Sequence, residues 1–341
     1  MKDYHPQSPE ARRRRLAALH ARFGPDAVEL VRQRGTNAWE IARRVLTGTY
    51  DDGFIHAGNL AYISLVAMFP FIIVTAALAK IIGRSEDAQL TVIALLSRLP
   101  PQVSAALSGP IDEMLQARTG PLLWFGAIVG LWTTASFIET IRDILRRAYG
   151  VRYCSPFWEY RLLSIGLIVG LVVLLLFAFA ATVLLTSVQH YITAALPFSS
   201  GLGHRLGLYR LVPAITLYIT FYAIFLALTP QRYRTLECRK WPGALLVTGW
   251  WLVTVELLPL AIGMFGGYAL TYGSLAGVMV ALIFFWIIGL GVVMGAELNA
   301  ALADAGDTAL EGENYKGPYR GEVPTTEAAP DEVVKKEGIA A

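Results

Sequence analysis

Six long apolar runs constrain this chain more than any other feature. They cover residues 56–83, 120–139, 160–187, 209–229, 242–266 and 274–301. The hydrocarbon core of a bilayer is roughly 30 Å thick, so a helix needs about 20 apolar residues to cross it. Each run is long enough. The runs therefore predict an all-α polytopic membrane protein with six transmembrane helices.

The composition agrees with this class. Of the 341 residues, 55% are hydrophobic and only 16% are charged, whereas a soluble domain is about one quarter charged. The net charge of +3 is too small to predict a nucleic-acid partner, and membrane lipids are the expected partners. Cys154 and Cys238 have neither a disulfide nor a metal-binding spacing. The polar first 54 residues contain no cleavable secretory signal.

The positive charges predict how the chain is threaded. Lys and Arg total 29, and 23 of them fall on residues 1–54, 140–161, 230–241 and 303–341. These segments all lie on one side of a six-span protein. Because cytoplasmic loops of membrane proteins carry the excess of Lys and Arg, both termini are predicted to be cytoplasmic. The predicted location is the bacterial cytoplasmic (inner) membrane.

Three regions follow from this threading: a basic N-terminal region at 1–54, the six-helix domain at 55–302 and a disordered tail at 303–341. Within the first, residues 8–46 predict an amphipathic helix with Ser8 as its N-cap and Pro9 in its first turn. Its four arginines at 12–15 are either a topology signal on a solvated helix or a contact for anionic lipid heads.

The segment at 85–118 joins the first two spans on the outer side. Its apolar residues have helical spacing that is interrupted at Pro100 and Pro101. Two short amphipathic helices lying on the outer membrane face are predicted. They form either a structural lid or a surface that gathers substrate.

Small residues and prolines are placed along the spans. Close packing of small residues helps helices associate in lipid, and GxxxG pairs occur at Gly126/Gly130, Gly166/Gly170, Gly263/Gly267, Gly273/Gly277 and Gly291/Gly295. We interpret the pairs as contacts within one bundle, with dimer faces as the alternative. Pro70 and Pro259 are predicted to kink their helices, because each frees the carbonyl four residues earlier.

One carboxylate interrupts the apolar run at 242–266. Glu256 lies near the middle of that span, where a charged residue costs about 2.5–3.5 kcal/mol to insert. It is spaced by seven from Gly249 and Gly263, so the three share a stripe of the helix, which we expect to face the bundle. Glu256 is either a structural carboxyl bonded between helices or a group that meets a substrate head or a proton.

Other polar residues form two further candidate groups. Asn59 and Tyr62 share one face of the first span and, with Glu256, are candidates for a substrate path. A second group at the inner membrane interface consists of Glu139, Arg142, Glu297 and Asn299. It is either ordinary salt bridging at helix ends or the entrance for a charged head group.

No catalytic or metal-binding motif is present in the sequence. The five histidines are far apart, without HxH or HExxH spacing. There is no nucleotide-binding glycine loop and no GxSxG motif. We therefore predict no cofactor, no metal and no enzymatic activity.

Three segments resemble one family. AGNLAYISLVAMFPFIIV at 57–74, WTTASFIETIRDILRRAYG at 132–150 and YGSLAGVMVALIFFWIIGLGVVMGAELNAAL at 272–302 are similar to the YihY/BrkB family of bacterial inner-membrane proteins. The third segment, with its central Trp286, is the most specific. The resemblance spans about residues 40–303 and implies six membrane helices. Members have carried virulence, serum-resistance or ribonuclease BN labels.

Two functions remain open from the sequence. One is a transport component for a lipid-like or other amphiphilic molecule, whose path includes Asn59, Tyr62 and Glu256. The other is a non-transporting envelope scaffold that binds protein partners, in which the same residues only join helices. Substrate, energy coupling and oligomeric state are not determined by the sequence.

Overall fold

The computed structural model describes most of the membrane domain. The described residues are 8–23, 38–82, 93, 96, 99–117, 121–151, 157–195, 208–230, 233–234, 238–264 and 275–303. Throughout these ranges the secondary structure is helical and contains no strand. The tail predicted at 303–341 lies outside the described residues beyond Ala303.

Six of the helices overlap the predicted apolar runs, and two of these extend well beyond them. The described helices are α1 Pro9–Phe23, α2 Ala38–Gly48, α3 Phe54–Ile82, α4 Pro101–Ala117, α5 Pro121–Tyr149, α6 Phe157–Ala195, α7 Leu208–Leu228, α8 Trp241–Met264 and α9 Ala276–Leu302, with a π turn at Thr49–Gly53. Four stretches are long and apolar enough to cross a bilayer: Phe54–Thr75, Arg161–Ala178, Trp241–Met264 and Ala276–Leu302. A shorter apolar stretch covers Pro213–Leu228.

The single helix predicted at 8–46 stays a prediction, because the structure describes only its two ends. Helices α1 and α2 occupy its two ends, and residues 24–37 between them lie outside the described part. Helix α2 continues through the π turn into α3 without a break. The predicted boundary between residues 54 and 55 therefore falls inside continuous helix.

Helix α9 is the centre of the bundle. It contacts α2, α3, α4, α5 and α8, while α6 and α7 pack against each other farther out. The close approach of α9 to its neighbouring helices explains its central position. A Cβ at Gly289 would meet the backbone of Ala57 at 3.0 Å, and one at Gly295 would meet the Gly243 carbonyl oxygen at 2.9 Å. Glycine lets α9 approach α3 on one side and α8 on the other.

The GxxxG pairs do not share one role. Gly291 and Gly295 lie against Trp250 and Val247 of α8. Gly166 and Gly170 on α6 have open space where a side chain would be. The prediction that this second pair mediates a contact within the bundle is wrong for the chain as described.

Helix α4 covers one end of the bundle. Its residues Val103, Leu107 and Ile111 are buried and pack in one cluster with Leu258 of α8 and Phe284 of α9. The apolar stripe of the predicted outer helix therefore contacts protein, and its use as a lid or as a substrate-gathering surface stays a prediction.

The opposite end of the bundle, where α5 and α7 finish and α8 begins, is called the α1 end because α1 lies there. Helix α5 finishes at Tyr149 with Gly150 at φ 72°, and the N–H of Val151 donates to the carbonyl of Arg146. Glycine adopts this left-handed conformation without a Cβ penalty.

Candidate functional site

A buried arginine joins α5 to α6. Arg161, near the start of α6, is only 5% exposed. Its Nη1 lies 2.9 Å from Oε1 of Glu139, and its Nη2 donates to the carbonyl of Trp132 at 2.7 Å. Nη1 also lies 3.4 Å from the hydroxyl of Ser136. The guanidinium is thus fixed by one carboxylate and two neutral acceptors on α5.

A second buried arginine lies in the same helix pair. Arg142 on α5 is 3% exposed, and its Nη2 donates to the hydroxyl of Ser164 on α6 at 3.1 Å. Two guanidinium groups and the carboxylate of Glu139 therefore occupy the α5–α6 pair. We call these three side chains the arginine cluster. Arginine binds carboxylate and phosphate oxygens through planar, bidentate hydrogen bonds, so this chemistry suits an anionic head group.

Two tryptophans border the arginine cluster on the outside of the bundle. The guanidinium carbon of Arg161 lies 4.1 Å from the ring centroid of Trp132, whose centroid is 6.1 Å from that of Trp158. Trp132 is 44% exposed and Trp158 is 65% exposed. Tryptophan is enriched at membrane–water interfaces. The cluster therefore lies beneath an aromatic pair on the surface of α5 and α6.

The other two members of the predicted inner group contact different helices. Asn299 is fully buried, and its Oδ1 accepts a hydrogen bond of 2.9 Å from the backbone N–H of Gly243 in the first turn of α8. The carboxylate of Glu297 packs directly on Gly48 at the end of α2. Asn299 thus satisfies an N–H group that has no acceptor within its own helix.

Glu256 does not face the bundle. It is exposed, and so are Gly249 and Gly263 of the same stripe, with no atom within 4 Å of a Cβ added to either glycine. Helix α8 instead packs through Gly243 and Val247 onto α9. The predicted inward orientation is wrong because the closest helix approach, at Gly243, fixes the opposite face of α8 inward.

Asn59 and Tyr62 also lie on the outer surface. Both are exposed, Tyr62 to 63%, and they share an exposed stripe of α3 with Ile55 and Val66. The opposite side of α3 packs on α5 and α9. The three path candidates are therefore not gathered inside the bundle.

The two predicted kink prolines lie within continuous helices. Pro70 is inside α3 and Pro259 is inside α8. A Cβ at Gly130 of α5 would approach the carbonyl oxygen of Pro70 to 3.0 Å. Pro70 thus marks a close contact between α3 and α5.

A layer of buried aromatic and ionisable groups closes the α1 end. The rings of Tyr149 and Tyr233 are 4.9 Å apart, and both side chains are buried. Burial raises the pKa of Tyr149, and the nearby thiol of Cys238 adds to the shift. Burial lowers the pKa of Lys240, whose Nζ donates to the carbonyl of Arg234 at 3.2 Å.

Sequence reasoning missed Arg161, Ser164 and the tyrosine pair. Arg161 was counted only as a loop charge, although it follows the aromatic residues that begin α6. An arginine directly after the aromatic residues of a helix start was the available signal. Among the described residues, no group of three or more His, Cys, Asp or Glu side chains is arranged to bind a metal.

The helical architecture and the apolar helices define an integral membrane protein. Residues 49–318 match the family described as "Virulence factor BrkB", which is well over half of the chain. The chain therefore belongs to the BrkB family, and the resemblance noted in the sequence is confirmed.

Two curated relatives support this assignment. The chain is 30% identical over 259 residues to a Bacillus subtilis (strain 168) protein named as ribonuclease-like protein YfkH, covering 74% of this chain and 91% of the relative. It is 24% identical over 287 residues to a UPF0761 membrane protein of Vibrio atlanticus (strain LGP32), covering 80% and 86%. No solved structure matches the chain.

Proposed function

We propose that this protein is a transport component of the bacterial inner membrane that moves or exposes a lipid-like or other amphiphilic molecule. In this proposal six helices cross the membrane and both termini are cytoplasmic. The α1 end then faces the cytosol. The arginine cluster takes the place of Asn59, Tyr62 and Glu256 as the region that meets the head group.

The arginine cluster is the observation that supports the proposal. Arg142 and Arg161 are nearly inaccessible, and Glu139 is the carboxylate paired with Arg161 at 2.9 Å. Arg161 begins a stretch that is long and apolar enough to cross a membrane, and charged residues retained within membrane helices commonly mark substrate pathways. The exposed Trp132 and Trp158 beside them offer an apolar border for acyl chains.

The test is a lipid-movement assay in reconstituted liposomes. Fluorescent phosphatidylglycerol in the inner leaflet is followed by dithionite quenching as it reaches the outer leaflet. We expect wild-type protein to raise the rate over protein-free liposomes, and Arg142→Gln to lower that increment at least about ten-fold. A ten-fold change corresponds to about 1.4 kcal/mol in the barrier.

Arg147→Gln is the matched control. Arg147 is on the same helix, five residues farther along, but it is exposed and pairs with the exposed Asp143 at 3.0 Å. We expect this variant to move lipid at the wild-type rate. A wild-type rate equal to that of protein-free liposomes, with any of several head groups, would contradict the transport proposal.

The scaffold function has its own supporting observation. Glu256 lies on an exposed face of α8 between Gly249 and Gly263, both of which have open space above them. Small residues permit close approach by another membrane helix, and a carboxyl group there can bond across the contact. If Glu256→Gln and Gly249→Leu abolish co-purification of an envelope partner while lipid movement is unaffected, the scaffold function is favoured.

No enzymatic activity is part of either proposal. The ribonuclease-like name belongs to YfkH, and neither proposal for this chain includes a nuclease step.

A further inference from the structure

The first turn of α1 is inserted into the α1 end of the bundle. Ser8 and Pro9 are buried, whereas Arg14 and Arg15 one turn later are exposed. The hydroxyl of Ser8 accepts from the N–H of Ala11 at 3.3 Å, which caps the helix as the sequence predicted. The beginning of the helix therefore contacts the membrane domain.

Arg12 binds the end of the central helix. Its Nη2 donates to the carbonyls of Ala300 at 2.8 Å and Ala301 at 3.3 Å, and lies 3.5 Å from that of Ala303. Helix α9 has no basic residue in its own last turn. A cation at a helix C-terminus satisfies free carbonyls and interacts favourably with the helix dipole. This cation comes from a position 288 residues earlier in the chain.

Glu10 provides a second anchor. The hydroxyl of Tyr233 donates to Oε1 of Glu10 at 3.0 Å. Tyr233 packs on Tyr149 and belongs to the same buried cluster as Cys238. The first turn of α1 thus covers the tyrosine layer and contacts two separate parts of the bundle, α9 and the segment between α7 and α8.

Most of the described side chains of α1 beyond Arg12 are exposed, among them Arg14, Arg15, Arg22 and Phe23. An isolated helix of 15 residues is marginally stable in water. Elements with few buried contacts open at a low free-energy cost, and moving elements of proteins are drawn from this group.

We propose that the first turn of α1 is a reversible latch that closes the α1 end of the bundle. Arg12 and Glu10 fasten it to α9 and Tyr233. When the latch releases, water reaches the tyrosine layer and Cys238, while the rest of the bundle remains folded. In the proposed transport function, the latch is the cytoplasmic gate. Only this consequence rests on the proposed function.

The buried thiol of Cys238 is the reporter for the latch, because it belongs to the same buried cluster as Tyr233, the partner of Glu10. In a Cys154→Ser background, the rate at which a water-soluble maleimide labels Cys238 measures how often the α1 end is open. We expect slow labelling of the parent protein. Arg12→Gln and, independently, Glu10→Ala are expected to raise the rate at least about ten-fold, and Arg12→Lys is expected to restore most of the slow rate.

Arg43→Gln and Arg147→Gln are the matched controls, because each removes an exposed arginine that pairs with a carboxylate on its own helix. They are expected to label at the parent rate. Helical circular dichroism and the unfolding temperature are measured on every variant. The latch is overturned if both anchor variants label no faster than the controls, or if faster labelling occurs only together with a lowered unfolding temperature.

The assay separates the latch from the transport proposal because it needs no substrate. Faster labelling in the anchor variants, with no lipid movement by any protein, supports the latch and contradicts transport. Equal labelling rates with normal lipid movement contradict the latch and leave transport intact.

Discussion

Several buried polar side chains of this protein are paired across helices. Arg161 contacts Glu139 and the carbonyl of Trp132, Arg142 contacts Ser164, and Asn299 contacts the backbone of Gly243. A buried polar group that loses its partner costs about 1–3 kcal/mol, more if it is charged. Each pairing therefore specifies which two helices lie side by side.

The Arg161–Glu139 pair should show strong coupling. Arg161 is buried, whereas the side chain of Glu139 is 26% exposed. Removing one partner of an ion pair costs most when the charge that remains is buried, up to about 3–5 kcal/mol for a fully buried pair. We expect Glu139→Gln to lower the free energy of unfolding by more when Arg161 is present than in an Arg161→Gln background. Unfolding by SDS in mixed micelles measures both.

The exposed pair Arg147–Asp143 is the control for this cycle. Its atoms are 3.0 Å apart, close to the 2.9 Å of the buried pair, but both side chains are exposed. We expect a coupling of at most about 1 kcal/mol there. Equal coupling in the two cycles would show that the burial of Arg161 does not strengthen its pairing with Glu139.

Tyr149 should make stability fall at alkaline pH. Its pKa in the folded protein is raised above the ordinary value of 10.0 by burial. As the pH rises, Tyr149 loses its proton in the unfolded chain before it does so in the folded protein. The stability that the protonated hydroxyl contributes is therefore present below about pH 10 and is lost as the pH rises above that value. Tyr149 is the last residue of α5, ten residues beyond the predicted end of its span at 139.

The measurement is the unfolding temperature of wild type and Tyr149→Phe between pH 8 and pH 11.5. We expect the wild type to lose stability more steeply above pH 10, since phenylalanine cannot ionise. Parallel curves would show that the hydroxyl of Tyr149 ionises as easily in the folded protein as in the unfolded chain.

At the scale of elements, the contact between α8 and α9 organises the bundle. Gly243 of α8 packs on Gly295 and Asn299, and Gly291 of α9 packs on Trp250, whose indole N–H donates to the carbonyl of Ile287 at 2.8 Å. The closeness of this contact turns the opposite face of α8, with Glu256, away from the bundle. The glycines thus decide the orientation of a helix that is apolar on nearly all sides.

Two glycines of α8 should respond oppositely to alanine. In Gly243→Ala the new methyl group would overlap Asn299 and the backbone of Gly295, so we expect the unfolding temperature to fall by several degrees. In Gly249→Ala the methyl group meets open space, and we expect no change or a gain of up to about 1 kcal/mol from helix propensity. Equal losses in both variants would contradict this packing.

At the scale of the whole molecule, the threading remains a prediction. Four helices are long and apolar enough to span a membrane among the described residues, and the six-span count adds 120–139 and 209–229. Positive charge in the loops predicts cytoplasmic termini. A fluorescent protein fused to either end should fluoresce, and alkaline phosphatase fused to either end should be inactive.

Fusions within 196–207, the predicted outer connection between the third and fourth spans, should give the reverse result. Phosphatase activity at either terminus would overturn the threading and, with it, the cytosolic position of the latch. The three fusion sites together distinguish an inverted protein from one with an odd number of spans.

Much of the fold could be predicted from the sequence. The centres of α3, α6, α7, α8 and α9 lie within the predicted runs, because the thickness of a bilayer sets a length requirement that each segment meets by itself. Ser8 as the cap of α1 is likewise local chemistry. The boundaries were less accurate where helices continue beyond the membrane, as α5 does to Tyr149 and α2 does into α3.

The candidate site was only partly predictable. Glu139 and Arg142 were identified, but Arg161 and Ser164 were not, because their pairing depends on how α6 lies against α5. Glu256 was singled out because it is the one carboxylate in an apolar run. Its isolation in the sequence does not reveal which face of α8 points toward the bundle. Arg12 was identified only as part of a basic run. Its contact with the end of α9 depends on the fold, which brings together two segments that are distant in the sequence.

The sequence by itself determined that this is an all-helical membrane protein of the BrkB family, because hydrophobic length and family motifs are local properties. The tertiary structure alone decided which side of each helix faces its neighbours. In a membrane helix both the buried and the lipid-facing sides are apolar, so the periodic signal that reveals the inner face of a soluble helix is absent. Glycine contacts and pairs of distant polar groups determine that orientation.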